Sequence, residues 1–446
     1  MMKTPICDFV EEYARQNKLR LHMPGHKGRE QLGFERFDIT EISGADSLYH
    51  ASGIIRESEE NATALFESGA TLYSTEGSSH VIRAMLYLAK TCAETASNRV
   101  IAARNAHSSF ISACALNDID VDWLYPEKGE SYLSCVISAE ALEKTLEKAE
   151  QTPLCVYVTS PDYLGNMCDI AALSEVCRRY GTMLVVDNAH GAYLKFLKKD
   201  MHPISLGATM CCDSAHKTLP VLTGGAYLHI AKDAPNSLKE NAKSALSIFG
   251  STSPSYLTLM SLDRANEYLS NGYHERLQHF VDRVESFTAD LDICERSGLR
   301  EPMKIVIRPK RIGYRGEEFS NELMKKGIVC EFCDDDFVVL MPSPENGEEE
   351  LTVLFDVICK LERRGEIADV RTSFETPAKR MTLREATFSQ SETVSADDAL
   401  GRVLAKSCVS CPPAVSLIVS GEVFNQSVID ACKKYGFDSF CVVKEK

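Results

Sequence analysis

The sequence predicts an α/β fold: a largely parallel sheet with helices on both faces, followed by a smaller α/β region. Short apolar runs alternate with amphipathic helical stretches from Arg99 to Asp187, and repeated β-α units of that length close into parallel sheets. The polar residues that interrupt this pattern fall at the carboxyl ends of the expected strands, where such sheets hold ligands. The 446 residues, 44% apolar and 25% charged, are those of a globular chain with two or three domains.

Charge and hydropathy exclude several partners. Forty-nine basic against sixty-four acidic residues give a net charge of -15, which argues against nucleic acid and anionic membranes. No apolar run approaches the roughly 18 residues of a membrane span, and the acidic, amphipathic start lacks a signal-peptide core. A cytoplasmic protein with a small-molecule ligand is expected.

In chain order, Leu21 to Gly28 is a Gly/Pro-punctuated loop carrying His22, His26 and Lys27. A helix is expected from Ile54 to about Glu67. The stretch Thr71 to Ser79 then feeds a Gly-Ser-Ser turn into a helix from His80 to about Lys90. Such a turn offers free N–H groups, the hydroxyls of Ser78 and Ser79 and a positive helix end, the needs of a phosphate dianion. A plain N-cap at either serine fits equally. Strands follow at Arg99 to Ala103, Val121 to Leu124, Leu154 to Val158 and Thr182 to Val186, with helices at Ser108 to Leu116, Ala139 to Ala149 and Ile170 to Tyr180. Ala208 to Cys212 and Ala226 to Ile230 read as strands flanking a turn that carries Ser214, His216 and Lys217. Further on, Met303 to Arg308, Ile328 to Phe332 and Phe337 to Met341 read as strands, and Gly316 to Lys326 and Glu348 to Arg363 as helices. A polar linker, Thr372 to Lys379, comes next.

Seventeen cysteines do not make a metal centre. Cys330-x-x-Cys333 and Cys408-x-x-Cys411 lack histidines at zinc-finger spacing, and Cys155, Cys177, Cys211 and Cys212 sit in apolar runs as small hydrophobes. No metal is expected, and the thiols are expected free.

The strand ends carry Arg104-Asn-Ala-His107, Thr159-Ser-Pro161, Asp187-Asn-Ala-His-Gly191 and Ser214-Ala-His-Lys217. Pyridoxal 5'-phosphate (PLP) asks for a lysine, an acid against its ring nitrogen, a flat group over its face and an anion cradle. Lys217, Asp187, His107, and Ser78, Ser79 and Ser214 with His216 meet those needs in turn. Asp187 would keep the pyridine nitrogen protonated, because an opposite charge favours the charged form.

With these residues in view, the chain resembles the bacterial ornithine/lysine/arginine decarboxylase family in its short form, within the fold-type I PLP enzymes. The resemblance rests on Pro24-Gly-His-Lys-Gly28, Asp38-Ile-Thr-Glu41, Gly77-Ser-Ser79, Arg104-Asn-x-His107, Thr159-Ser-Pro161 with Tyr163 and Gly165, Asp187-x-Ala-His-Gly191 and Ser214-x-His-Lys-Thr-Leu-Pro220. Thr252-Ser-Pro-Ser-Tyr256, Arg384-Glu-Ala386, Pro412-Pro413 and Gly421-Glu422 continue it.

The resemblance implies PLP as cofactor, with Lys217 as Schiff-base lysine, Asp187 on the pyridine nitrogen and His107 stacked on the ring. Ser78, Ser79, Ser214 and His216 fall on the phosphate side, and His190 is counted with the cofactor-binding residues. Ser253 and Ser255 lie in a segment that reaches the neighbouring subunit's site, which implies a homodimer or an assembly of dimers with shared active sites. It also implies a PLP-binding large domain over residues 1–295, a small α/β domain over 296–372 and the family's C-terminal domain over 380–446. The receiver-like domain of the long forms is not expected ahead of Pro24.

The implied reaction is decarboxylation of arginine or lysine, less so ornithine, to agmatine, cadaverine or putrescine, in polyamine biosynthesis. The alternatives are a divergent fold-type I enzyme acting on another amino acid as decarboxylase, aminotransferase or lyase, and a non-catalytic regulatory homologue. The chain departs from the family pattern in having Glu76 before the phosphate turn. It has Ser108 in place of lysine, Asn188 of glutamate, Asp162 of threonine, Asp213 of glutamine and Ser420 of proline.

Overall fold

The computed structural model describes residues 2–126, 131–368, 375–407 and 413–445. The chain forms two compact units, Met1–Thr95 with Ile170–Gln278 and Ala96–Asp169 with His279–Lys446. The expected alternation is present as β1 (Ala70–Ser74), β2 (Arg99–Ala103), β3 (Asp120–Leu124), β4 (Cys155–Thr159), β5 (Met183–Asp187), β6 (Met210–Asp213) and β7 (Ala226–Ile230), with helices between most of them. The fold class is therefore α/β.

In the first unit the strand order is β1-β7-β6-β5. β5 and β6 run parallel, while β7 is antiparallel to both β6 and β1. β1, β5 and β6 consequently point the same way and deliver their following turns to one edge. In the second unit the order is β4-β2-β3, parallel throughout. That unit also holds two small sheets. β8 (Ile305–Ile307), β9 (Phe332–Cys333) and β10 (Val338–Leu340) form one, and β11 (Ser391–Ser395), β12 (Leu404–Lys406) and β13 (Ser439–Val443) the other.

Strands β5, β6 and β7 are apolar nearly end to end because both faces are covered. Beside them Phe66, fully buried, packs on Tyr227, His202 and His229 with ring centroids 5.3, 5.4 and 4.4 Å away. Among the described residues no helix is long and apolar enough to cross a membrane.

Four expectations need correcting. The helix expected from His80 begins at Gly77 and runs to Cys92, because Ser74 Oγ takes the Glu76 N–H and lets the Gly-Ser-Ser stretch enter the first turn. The turn between β6 and β7 contains a single helical turn, Ala215–Thr218. The strand expected over 328–332 is reduced to Phe332–Cys333, since Gly327 at φ +77 redirects the chain after the helix Gly316–Met324. The helix from Glu348 ends at Lys360 rather than Arg363. Cys408, Cys411, Pro412 and residues 372–374 lie outside the described residues.

Candidate active site

Three turns of the first unit converge at the edge set by β1, β5 and β6. Asp187 closes β5 and stands opposite Cys212 in the parallel pairing, and Asp213 closes β6. The amide of Asn188 bonds to Cys212 O at 3.0 Å, which ties the turn after β5 to β6. The turn Leu222 to Gly225 closes the third side, with Gly224 O accepting the Gly77 N–H at 2.7 Å. A Cβ on Gly224, at φ +96, would lie 2.6 Å from Thr75 O; only glycine fits there.

Lys217 sits in the helical turn after β6, its amide bonded to Ser214 O. Its Nζ lies 2.9 Å from His190 Nε2. Ser214 Oγ donates to Ser78 Oγ at 2.8 Å, so the lysine turn touches the start of the helix Gly77–Cys92. Gly77, at φ +75, has open space where a Cβ would stand. Glu76 is occupied elsewhere, its carboxylate accepting the Ser251 N–H at 2.5 Å. His216 Nδ1 lies 2.9 Å from Gly225 O, and burial shifts its imidazole below the usual histidine range.

Asp187, 2% exposed, accepts hydrogen bonds from the Ala189 N–H at 3.2 Å and the Cys212 thiol at 3.5 Å. Burial, with Asp187 beside it, pushes that thiol well above the ordinary cysteine range. The sequence pattern, which took Cys212 for a small hydrophobe, missed this contact because it depends on strand register.

Also missed is the company of Asp213. Its Oδ2 lies 3.0 Å from both His202 Nε2 and His229 Nε2, and its Oδ1 accepts from Asn188 Nδ2 at 2.7 Å. All four residues are fully buried. Two departures from the family pattern, at positions 188 and 213, are thus one hydrogen-bonded pair. Burial alone would raise the Asp213 pKa, but the two imidazoles and their hydrogen bonds outweigh it and hold the carboxyl below the usual aspartate range.

The other expected residues take separate places. Ser79 lies in the first turn of the helix Gly77–Cys92. Ser253 and Ser255 are exposed ahead of the helix Tyr256–Ser270, which Ser255 caps by accepting from Thr258 N. His26 Nε2 and Asp38 Oδ2, 3.1 Å apart, join the first two motifs of the resemblance.

His107 belongs to the second unit and caps the helix Ser108–Asn117, its Nδ1 accepting the Ser109 N–H at 3.0 Å. Residues near the C-terminus hold its turn. Ser108 N bonds to Ala414 O, and His107 bridges Val415. Arg104, three residues earlier, donates to Ser416 O, Leu417 O and the Glu422 carboxylate, each at about 3 Å. Asp162 is buried, accepts from Asn166, and is shifted up by that burial. Ser420 is buried as well, and Cys330 and Cys333 are free thiols.

The donor set suits PLP. An amine, a buried carboxylate and two hydroxyls at the start of a 16-residue helix stand on turns that hydrogen bonds tie together within one unit, and the space above Gly77 leaves room for an anion. His202, Cys211 and Asp213 also stand close enough to raise the question of a metal ion. The Ile204 N–H, 3.4 Å from His202 Nδ1, places the His202 proton on Nε2, which leaves no lone pair there for a metal.

Comparison with known proteins adds to this geometry. The family described as "Orn/Lys/Arg decarboxylase, major domain" matches residues 4–304. The chain is 26% identical over 452 residues to the "Uncharacterized protein YaaO" of Bacillus subtilis, covering 94% of this chain and 92% of that protein. An arginine decarboxylase of Halalkalibacterium halodurans is 25% identical over 459 residues, with 95% and 92% covered. Among solved structures, the Francisella novicida lysine decarboxylase LdcF superimposes with a TM-score of 0.81 at 15% identity, over 99% of this chain and 81% of that one. Lysine decarboxylase A from Pseudomonas aeruginosa gives 0.80 at 16%, over 99% and 80%. At these identities the structural likeness is one of fold, the fold-type I architecture.

Proposed function

The chain belongs to the Orn/Lys/Arg decarboxylase family and is an amino acid decarboxylase, and from that premise we propose that it converts a basic amino acid to its amine and CO2 with PLP held at Lys217. Arginine and lysine come ahead of ornithine. Sequence relatives named arginine decarboxylase support the first, and solved neighbours named lysine decarboxylase the second. The observation that carries the assignment is the 2.9 Å approach of Lys217 Nζ to His190 Nε2, in a turn bonded to the one that begins at Asp187.

Each side chain has its task in this reading. Lys217 offers the amine that carries the cofactor's aldehyde carbon. His190 accepts a hydrogen bond from that amine and stands where it can take its proton, leaving a nucleophilic nitrogen. Asp187, fixed by the Ala189 amide and the Cys212 thiol, keeps a proton on the ring nitrogen. Ser78, Ser79 and Ser214, with the first-turn amides, take the phosphate, and His216 stands on the same side. His107 is assigned to the ring face. When bound, PLP supplies the sink for the electron pair left at Cα as CO2 departs.

A cytoplasmic homodimer, with Ser253 and Ser255 of one copy completing the other's site, belongs to the same reading. The exposure of that segment supports it.

Incubation of the PLP-treated protein with a panel of amino acids, read for amine by mass spectrometry and for CO2, tests the proposal. Agmatine or cadaverine should dominate. Turnover of some other amino acid while arginine, lysine and ornithine all fail would rule it out.

A further inference from the structure

We propose that Asp213 is a positioning residue of this site, tying the turn that carries Asp187 and His190 to the turn that carries Lys217. The inference rests on the PLP assignment above and adds to it a residue that touches neither cofactor nor substrate. Asp213 directly precedes Ser214, whose carbonyl takes the Lys217 amide and whose hydroxyl reaches Ser78. Its Oδ1 takes the side-chain amide of Asn188, the residue after Asp187, at 2.7 Å. One carboxylate therefore holds both turns.

The other oxygen explains why the carboxylate does not move. The Ile204 N–H puts the His202 proton on Nε2, so this ring donates to Asp213. Thr71 Oγ1 lies 2.8 Å from His229 Nδ1, and Ser68 Oγ lies 2.7 Å from Thr71 Oγ1. The ionised Asp213 can only accept, so the second ring also presents an Nε2 proton to it. Burial favours the neutral form of His229, although Asp213 pulls the other way.

The carboxylate is thus met by three N–H donors, each aimed along a set direction. An unpaired buried charge would be costly, whereas one satisfied in this way is a rigid anchor. Gly191 completes the arrangement. A Cβ there would fall 2.0 Å from Asn188 Oδ1, so this turn closes over the Asn188 side chain only with glycine.

The experiment measures PLP affinity by the visible absorbance of the bound cofactor, together with the pH at which that absorbance changes. Asp213→Leu keeps the bulk and removes both acceptors. We expect it to weaken PLP binding by about tenfold or more and to move the pH profile. Asp213→Asn keeps one acceptor oxygen and should recover part of the affinity. Asn188→Ala, which cuts only the tie to the Asp187 turn, should weaken binding about fivefold.

A folded Asp213→Leu protein that binds PLP as wild type does, with the same pH profile, would overturn the proposal. Should Asp213→Leu fail to fold, wild-type affinity in Asn188→Ala overturns it instead. A wild-type protein that takes up no PLP would overturn the site assignment itself, and this proposal with it. That outcome is separate from one in which wild type and Asp213→Leu bind alike.

Discussion

Asp187 and Lys217 are told apart from the other ionisable residues of their unit by what holds them. Asp187 is fixed by a backbone amide and a thiol, and in the proposed reading its charge serves a ring nitrogen. Replacing it with alanine should lower turnover at least about a hundredfold with the fold intact by circular dichroism, the scale at which a preorganised charge contributes. Lys217→Ala should remove both turnover and the visible absorbance of bound PLP. Wild-type rates in either variant would contradict their roles. Both residues are visible in the sequence, Asp187 because it ends an apolar run and Lys217 because it lies in the short polar turn between two such runs. His202 is not, since it follows Met201 in an irregular segment and its hydrogen bond to Asp213 exists only in the folded chain.

At the scale of elements, two buried carboxylates hold segments far apart in sequence. Glu422, 4% exposed at its side chain, pairs with Arg104 and takes the Val419 amide, which clamps the turn leading to His107. Glu422→Gln would leave a buried guanidinium short of its counter-charge, and we expect a loss of about 3 kcal/mol in denaturant unfolding. Arg104 also lies 5.1 Å above Trp123, the chain's single tryptophan, so the same variant should shift its fluorescence. Unchanged stability and emission would rule the clamp out.

Asp263 does comparable work for the first helix, Pro5–Arg15, whose N-cap Thr4 makes no side-chain cap. Its Oδ2 accepts the Ile6 and Cys7 amides at 3.0 Å each. Burial, partly offset by the Ser58, Cys7 and Ile6 hydrogen bonds, pushes the carboxyl up to about 6 from an ordinary 3.8. An acid raised in the folded state contributes stability that is complete below its unfolded value and is lost as pH rises through its folded one. Between pH 4 and 7, wild type should therefore lose about 2–3 kcal/mol relative to Asp263→Asn. Parallel stability curves for the two proteins over that range would contradict the assignment.

Elements of this kind are written in the sequence as alternating apolar runs and amphipathic stretches, which is why the sequence places β2 to β7 to within a residue or two, whereas β9 is shorter than expected and β11 to β13, short and half-exposed, carry no such signal. Helix starts are less visible. The one at Gly77 depends on which group takes the Glu76 amide, a choice made by side-chain geometry.

At the scale of the whole molecule, each compact unit takes in two separate stretches, a division that no shift in composition marks. The net charge of -15 sets no fold but suits a cationic amino acid approaching from solvent. The family follows from ordered motifs spread over most of the chain, whereas the choice between arginine and lysine does not, because it depends on how a pocket is shaped around a side chain's end. The central claim is that PLP is carried by Lys217. Borohydride reduction of the PLP-treated protein, followed by peptide mass spectrometry, tests it most directly. We predict a single phosphopyridoxyl group on the peptide containing Lys217; no modification, or modification spread over surface lysines with Lys217 untouched, would contradict it.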